Sequence, residues 1–151
     1  MTLENLLAIH RLQHFNATPA GVRQLLASAE RNLNDAKLPG LSSDNRFDAA
    51  YKAIMQCAMI GLWANGFRTS TSQPGHHQTL LQILPKTMGI PQDVVIVLDM
   101  LRKQRNLNDY EGDPVTDAAV TECLKQAHDL FGYTRQWLAN HHPQLLTPEK
   151  P

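Results

Sequence analysis

Between Asn45 and Asn65 the chain has almost no polar side. Phe47, Ala50, Tyr51, Ile54, Ala58, Gly61 and Leu62 recur at helical spacing, and Ala49, Ala53, Cys57, Ile60 and Trp63 cover much of the remaining circumference. A helix that is apolar on most sides must be enclosed by neighbours. This segment is therefore expected to be the central rod of a helical bundle. Ser42-Ser43-Asp44 supplies capping oxygens at its start, and Asn65-Gly66 supplies a glycine free to close its end in the left-handed conformation.

The flanking sequence reads as partners for that rod. Leu3 to Phe15 is a short amphipathic stretch, with Leu3, Leu6, Leu7, Ile9 and Leu12 at helical spacing. Thr18-Pro19 opens a helix running to about Lys37, with Val22, Leu25, Leu26, Ala29, Leu33 and Ala36 on one stripe. After a polar loop, Arg68 to Gly75, a modest helix begins at His76 and is expected to stop near Leu84, ahead of Pro85. Pro91 opens another helix that reaches the Arg105 region. Its Val94, Val95 and Val97 would also suit a strand, but Leu98, Leu101 and Arg102 continue a helical pattern. Asp113-Pro114 turns the chain, and Thr116 caps a last helix to about Asn140 with Val120, Leu124, Ala127, Leu130, Phe131 and Leu138 inward. The expectation is an all-α domain over residues 1–151: a four-helix up-and-down bundle with additional short helices, a core at 18–141 and a frayed tail at 143–151.

Charge restricts the functions open to such a bundle. Lys and Arg number 14, as do Asp and Glu, so the formal net charge is zero. Coating nucleic acid by bulk charge needs many cations to displace counterions, whereas one compact phosphate-gripping site does not. The two cysteines, Cys57 and Cys123, lie in apolar surroundings and read as buried thiols of a reducing compartment. Neither a signal-peptide pattern at the N-terminus nor a run of about 20 apolar residues is present, so a cytoplasmic protein without membrane contact is expected. His10 and His14 share a zinc-compatible spacing without an acidic or thiol ligand beside them, and no metal or cofactor is expected.

The richest chemistry lies in Arg102-Lys103-Gln104-Arg105-Asn106-Leu107-Asn108-Asp109-Tyr110. Arg105 extends the apolar stripe of Leu98 and Leu101, where a guanidinium needs an anion or carbonyls. Asn106 to Tyr110 then carry amide, carboxylate and phenol groups past the expected helix end. One reading is purely structural, a helix cap in which Arg105 pairs with Asp48 or Asp109.

The same residues also carry a family resemblance. Arg46-Phe47-Asp48-Ala49-Ala50-Tyr51-Lys52-Ala53-Ile54 opens the central helix, Gly75-His76-His77 heads a short helix, and Arg105-Asn106 closes the next long one with Asp109-Tyr110 behind it. In that order, over roughly residues 20–140, they resemble the HEPN superfamily (higher eukaryotes and prokaryotes nucleotide-binding). The resemblance implies a four-helix bundle, usually dimeric, whose Arg-polar-x-x-x-His motif lines a cleft and, in active members, cleaves RNA without metal. Arg105 would then be the phosphate-binding arginine and Asn106 its polar partner, with Arg102, Asp109 and Asp48 as supporting binding residues. Where the motif histidine belongs, this chain has Asp109, Tyr110, Glu111 and Gly112. A phenol of pKa about 10 is a poor substitute for imidazole, which puts ribonuclease activity in question. The resemblance further implies a toxin-like or accessory partner of a nucleotidyltransferase, or an antitoxin-like partner, with Tyr110 as the tyrosine open to modification.

His76 and His77 are the other candidates for the missing imidazole. Antiparallel topology argues against them, because the end of the central helix should lie opposite the end of the Arg105 helix. By the same geometry the start of the central helix, with Arg46, Asp48 and Tyr51, should approach Arg105, with Asp48 as its preferred salt-bridge partner. Two functions follow: an RNA- or nucleotide-binding HEPN-like protein, or a non-catalytic dimeric helical scaffold.

Overall fold

The computed structural model describes residues 2–71 and 74–147. Its main elements are the helices α1 (Leu3–Ala8), α2 (Pro19–Ala36), α3 (Ser43–Ala64), α4 (His76–Gln82), α5 (Leu84–Thr87), α6 (Gln92–Glu111) and α7 (Asp117–His141), with two short strands, β1 (Leu12–His14) and β2 (Phe67–Thr69). The chain is an all-α helical bundle, and α3 is its axis. Phe47, Ala50, Tyr51, Ala53, Ile54, Cys57, Ala58, Ile60 and Leu62 are all essentially sealed from solvent. The helix packs most extensively against α2 and α7 and also touches α4, α5 and α6. Enclosure on every side is what its apolar circumference required. No described helix is long and apolar enough to cross a membrane.

Capping follows the sequence closely. The side chains of Thr18, Ser42 and Thr116 accept from the backbone N–H groups of Gly21, Asn45 and Ala119, satisfying donors that the first helical turn leaves open. Asp44 Oδ1 accepts from Val115 N at 3.0 Å, fastening the start of α3 to the α6–α7 connection. Both cysteines are buried, and burial pushes each thiol up to about 12, leaving them protonated and inert.

Four expectations need correction. The amphipathic stretch Leu3–Phe15 is helical only to Ala8. His10 adopts a positive φ of 62°, and residues 12–14 pair instead with β2, so that Leu12 opposes Thr69 and His14 opposes Phe67. The small antiparallel sheet was not expected. It wins because Gly66, at φ 92°, turns the chain out of α3 into a strand beside the N-terminal segment. The short helix beginning at His76 ends at Gln82, and Pro85 lies inside the first turn of α5, where its missing N–H is harmless. The helix from Pro91 does not end at Arg105. It runs on to Glu111 and closes at Gly112 (φ 74°), so Arg105 to Tyr110 stand on helical turns.

The tail from Pro143 is not frayed as far as it is described. It forms a 3-10 turn whose Leu145 packs with Val22, Leu26, Ile60 and Leu138, while residues 148–151 lie outside the described residues.

The segment between α3 and α6 places the short helices. Asn65 Nδ2 donates to Gly61 O at 2.7 Å and to Thr87 O at 3.1 Å, and the Tyr133 hydroxyl donates to Met88 O. These bonds fasten the α5 region to α3 and α7. From that anchor α4 lies against both α3 and α6.

Candidate functional site

A cleft of about 220 Å³ opens between the start of α4 and the last turns of α6. Arg102, Arg105, Asn106 and Tyr110 line it from α6, and Gly75, His76, His77 and Gln78 from α4. The α6 residues stand at i, i+3, i+4 and i+8, which is one helical face, and they continue the stripe of buried Leu98 and Leu101. The extra turns of α6 beyond Arg105 therefore build the wall of the cleft.

Arg105 is held from three directions. Its Cζ lies 5.5 Å from the ring centroid of buried Tyr51, a cation–π contact. Asp109 Oδ2 is 2.8 Å from Nε and Asp48 Oδ1 is 4.0 Å from it. Nε itself is buried and makes no hydrogen bond, so Asp109 sits off the N–H direction and the attraction is one of charge. The side chain as a whole stays 26% exposed and lines the cleft. Arg102 is similarly held through Nε, by Asp99 Oδ1 at 2.8 Å. Burial pushes the Asp99 carboxyl up, but the hydrogen bond and charge of Arg102, joined by Lys103, hold it below the usual carboxylate range. Both arginines are oriented by carboxylates without being sealed by them.

The histidines of α4 do reach the cleft, contrary to the topological expectation. That expectation treated α4 as part of the connection at the far end of α3. In the structure α4 lies along α3 toward Tyr51, whose hydroxyl is 3.3 Å from His77 Nδ1. The ring of His76 meets that of His77 edge-on at 4.8 Å between centroids. Burial lowers the His77 pKa below 6.5, and the charges of His76, Arg105 and Arg102 lower it further. Burial also pushes the Tyr51 phenol up to about 12, against the pull of Arg105 and Arg102. With its proton retained, the Tyr51 hydroxyl can donate to His77 Nδ1, which places the neutral imidazole's proton on Nε2; the opposite tautomer would instead donate Nδ1–H to the phenol oxygen.

The remaining candidates are placed unevenly. Tyr110 stands at the rim, 80% exposed. Asp48 approaches Arg105 as expected but does not line the cleft, and Asp109 is the nearer carboxylate. Gln78 was not singled out, and Tyr51 was expected near Arg105 without being assigned a role in the site. The i, i+3 spacing of Asp48 and Tyr51 on one face of α3 was the available signal for Tyr51. His10 and His14 no longer share a helix face, His14 stacks on Phe67, and among the described residues no group of three or more His, Cys, Asp or Glu could hold a metal ion.

The tautomer can be measured by long-range ¹H–¹⁵N correlation on the imidazole nitrogens. Wild-type protein above pH 7 should show His77 with unprotonated Nδ1 and protonated Nε2. Tyr51→Phe should mix the two tautomers and lower stability by about 1 kcal/mol. Because the folded state favours neutral His77, its contribution to stability is present above pH 6.5 and fades as pH falls through the lowered value. Proton occupancy on Nδ1 in the wild type would contradict this arrangement.

No protein-family model matches this chain, and neither does any curated protein sequence.

Proposed function

We propose that this chain is a HEPN-like protein that binds RNA or a nucleotide in the cleft between α4 and α6. The observation that carries the reading is the meeting, at one solvent-open cleft, of Arg105-Asn106 with His76-His77, segments well separated in sequence. Two guanidiniums oriented through Nε leave their outer amines for phosphate oxygens, where charge-assisted bonds are strong. Neutral His77 adds an N–H donor. The zero net charge fits a site for one or two phosphates rather than a long basic track.

For RNA cleavage, His77 with Nδ1 bonded to the Tyr51 hydroxyl offers Nε2–H to a phosphate or leaving oxygen as a hydrogen-bond donor, and giving up a proton outright requires its imidazolium form. It is not suited to take one from a ribose 2′-hydroxyl. That task would fall to His76, the other imidazole of the cleft. A second reading, a non-catalytic dimeric helical module, is favoured by Asp109, whose charge offsets that of Arg105.

Fluorescence anisotropy with a short single-stranded RNA at low salt tests the reading. Arg105→Ala should weaken binding about tenfold or more, the effect of losing a charge-assisted bond. Metal-free incubation with mixed RNA then separates the two classes: cyclic-phosphate ends that depend on Arg105 mark an enzyme, and binding without fragments marks a binder. Equal RNA affinity of wild type and variant would overturn the proposal.

The same reading implies cytoplasmic action as a homodimer and a toxin-like or accessory role beside a nucleotidyltransferase or an antitoxin-like protein. At 80% exposure the Tyr110 phenol is accessible to a modifying enzyme. On the outer face of α6, Ile96, Met100 and Leu107 are 56%, 63% and 41% exposed at heptad-like spacing, a stripe suited to a second copy of the chain. Sedimentation equilibrium should return a dimer that Met100→Asp converts to monomer, and a monomeric wild type would remove this part of the reading.

A further inference from the structure

A second cleft, of about 360 Å³, adjoins the first. Gly75 and Gln78 line both, so the two share a wall. The linings differ in kind. Arg102 and Arg105 give the first its charge, whereas the second has Leu6 and Ile83 among its lining, both with little exposed surface. Gln78 and Gln82, at i and i+4 on α4, stand on one helix face above it. Arg11 closes the opposite side, held toward Pro74 O by a long bond of 3.4 Å. No carboxylate lines it among the described residues.

Such a surface, with one guanidinium among amides and a hydroxyl, can receive a planar heterocycle. Leu6 and Ile83 offer a ring face a small apolar contact beside the polar Arg11, Gln78, Thr79 and Gln82. Each glutamine offers both an acceptor and two donors to ring edges, and a guanidinium can stack on a ring or donate to its carbonyls and nitrogens. The first cleft is small for an organic ligand, and the second reaches the size range of small-molecule sites, about 300 Å³ and upward. We infer that the cleft of Leu6, Arg11, Gln78 and Gln82 is a nucleobase subsite, holding the base of a nucleotide whose phosphate lies against Arg102 and Arg105. The inference rests on the proposed phosphate site and adds a base-binding function to it.

Calorimetric titration with ribose 5-phosphate, adenosine 5′-monophosphate, uridine 5′-monophosphate and adenosine separates the two parts. Both nucleotides should bind wild-type protein at least about fivefold more tightly than ribose 5-phosphate, the worth of a hydrogen bond. Gln82→Ala should reduce that advantage and leave ribose 5-phosphate affinity unchanged. Gln82 is exposed on its helix, so this variant is expected to fold. Gln82→Trp, which fills the cleft, should abolish the advantage and the binding of adenosine. Arg105→Ala should weaken all three phosphates and spare adenosine. Equal affinity for ribose 5-phosphate and both nucleotides, or an advantage that survives Gln82→Trp, would overturn the base subsite. Phosphate affinity indifferent to Arg105→Ala would instead remove the phosphate site, with adenosine binding still reporting on the second cleft.

Discussion

One buried tyrosine joins the two halves of the candidate site. Tyr51 belongs to the enclosed helix α3, so its position is set by the core. Its ring face supports the guanidinium of Arg105 on α6, and its hydroxyl meets His77 on α4. Three helices thus fix an arginine and an imidazole relative to one another through a side chain that has almost no freedom to move. A site built on packed helices in this way is more exact than one carried by loops. The chain needs that support because the two groups come from segments without local contact in sequence.

Charge is arranged with similar economy. A phosphate site needs positive charge, yet a guanidinium stripped of water and left without a counter-charge is unfavourable. Here Asp99 and Asp109 stand beside the Nε atoms of Arg102 and Arg105, and both side chains line the cleft. The carboxylates fix the orientation of the fork and moderate its charge. Burial, joined by the charges of His76, Arg105 and Arg102, favours neutral His77, so the cleft carries less positive charge than its residue types suggest.

The bundle was largely legible in the sequence because its signal is periodic and local. The apolar circumference of residues 45–65 predicted an enclosed helix, and the capping oxygens of Thr18, Ser42 and Thr116 marked helix starts within a residue or two. Arg105 with Asp48 and Asp109 was also readable, since the i, i+4 relation of Arg105 to Asp109 exists as soon as the helix continues. Other features depended on contacts that no local pattern encodes. The strand at Leu12–His14 forms only because Phe67–Thr69 lies beside it, and a three-residue pairing leaves no usable periodicity. His77 looked remote because α4 returns along α3 toward Tyr51, and the bonds of Asn65 and Tyr133 that fasten the following α5 segment reach backbone carbonyls distant in sequence. The length of α6 was underestimated because Asn106, Asn108 and Asp109 favour caps over helix interiors, whereas the helix stops only at Gly112.

Whether Arg105 and His77 act on the same ligand is best measured by a double-mutant cycle. RNA affinity would be determined for wild type, Arg105→Ala, His77→Ala and the double variant, with circular dichroism confirming that each is folded. Groups that grip one phosphate from two sides should show a coupling of roughly 0.5–3 kcal/mol, the double variant losing less than the sum of the single losses. Strictly additive losses would mean that the two side chains serve separate purposes, and the common anion site would be contradicted.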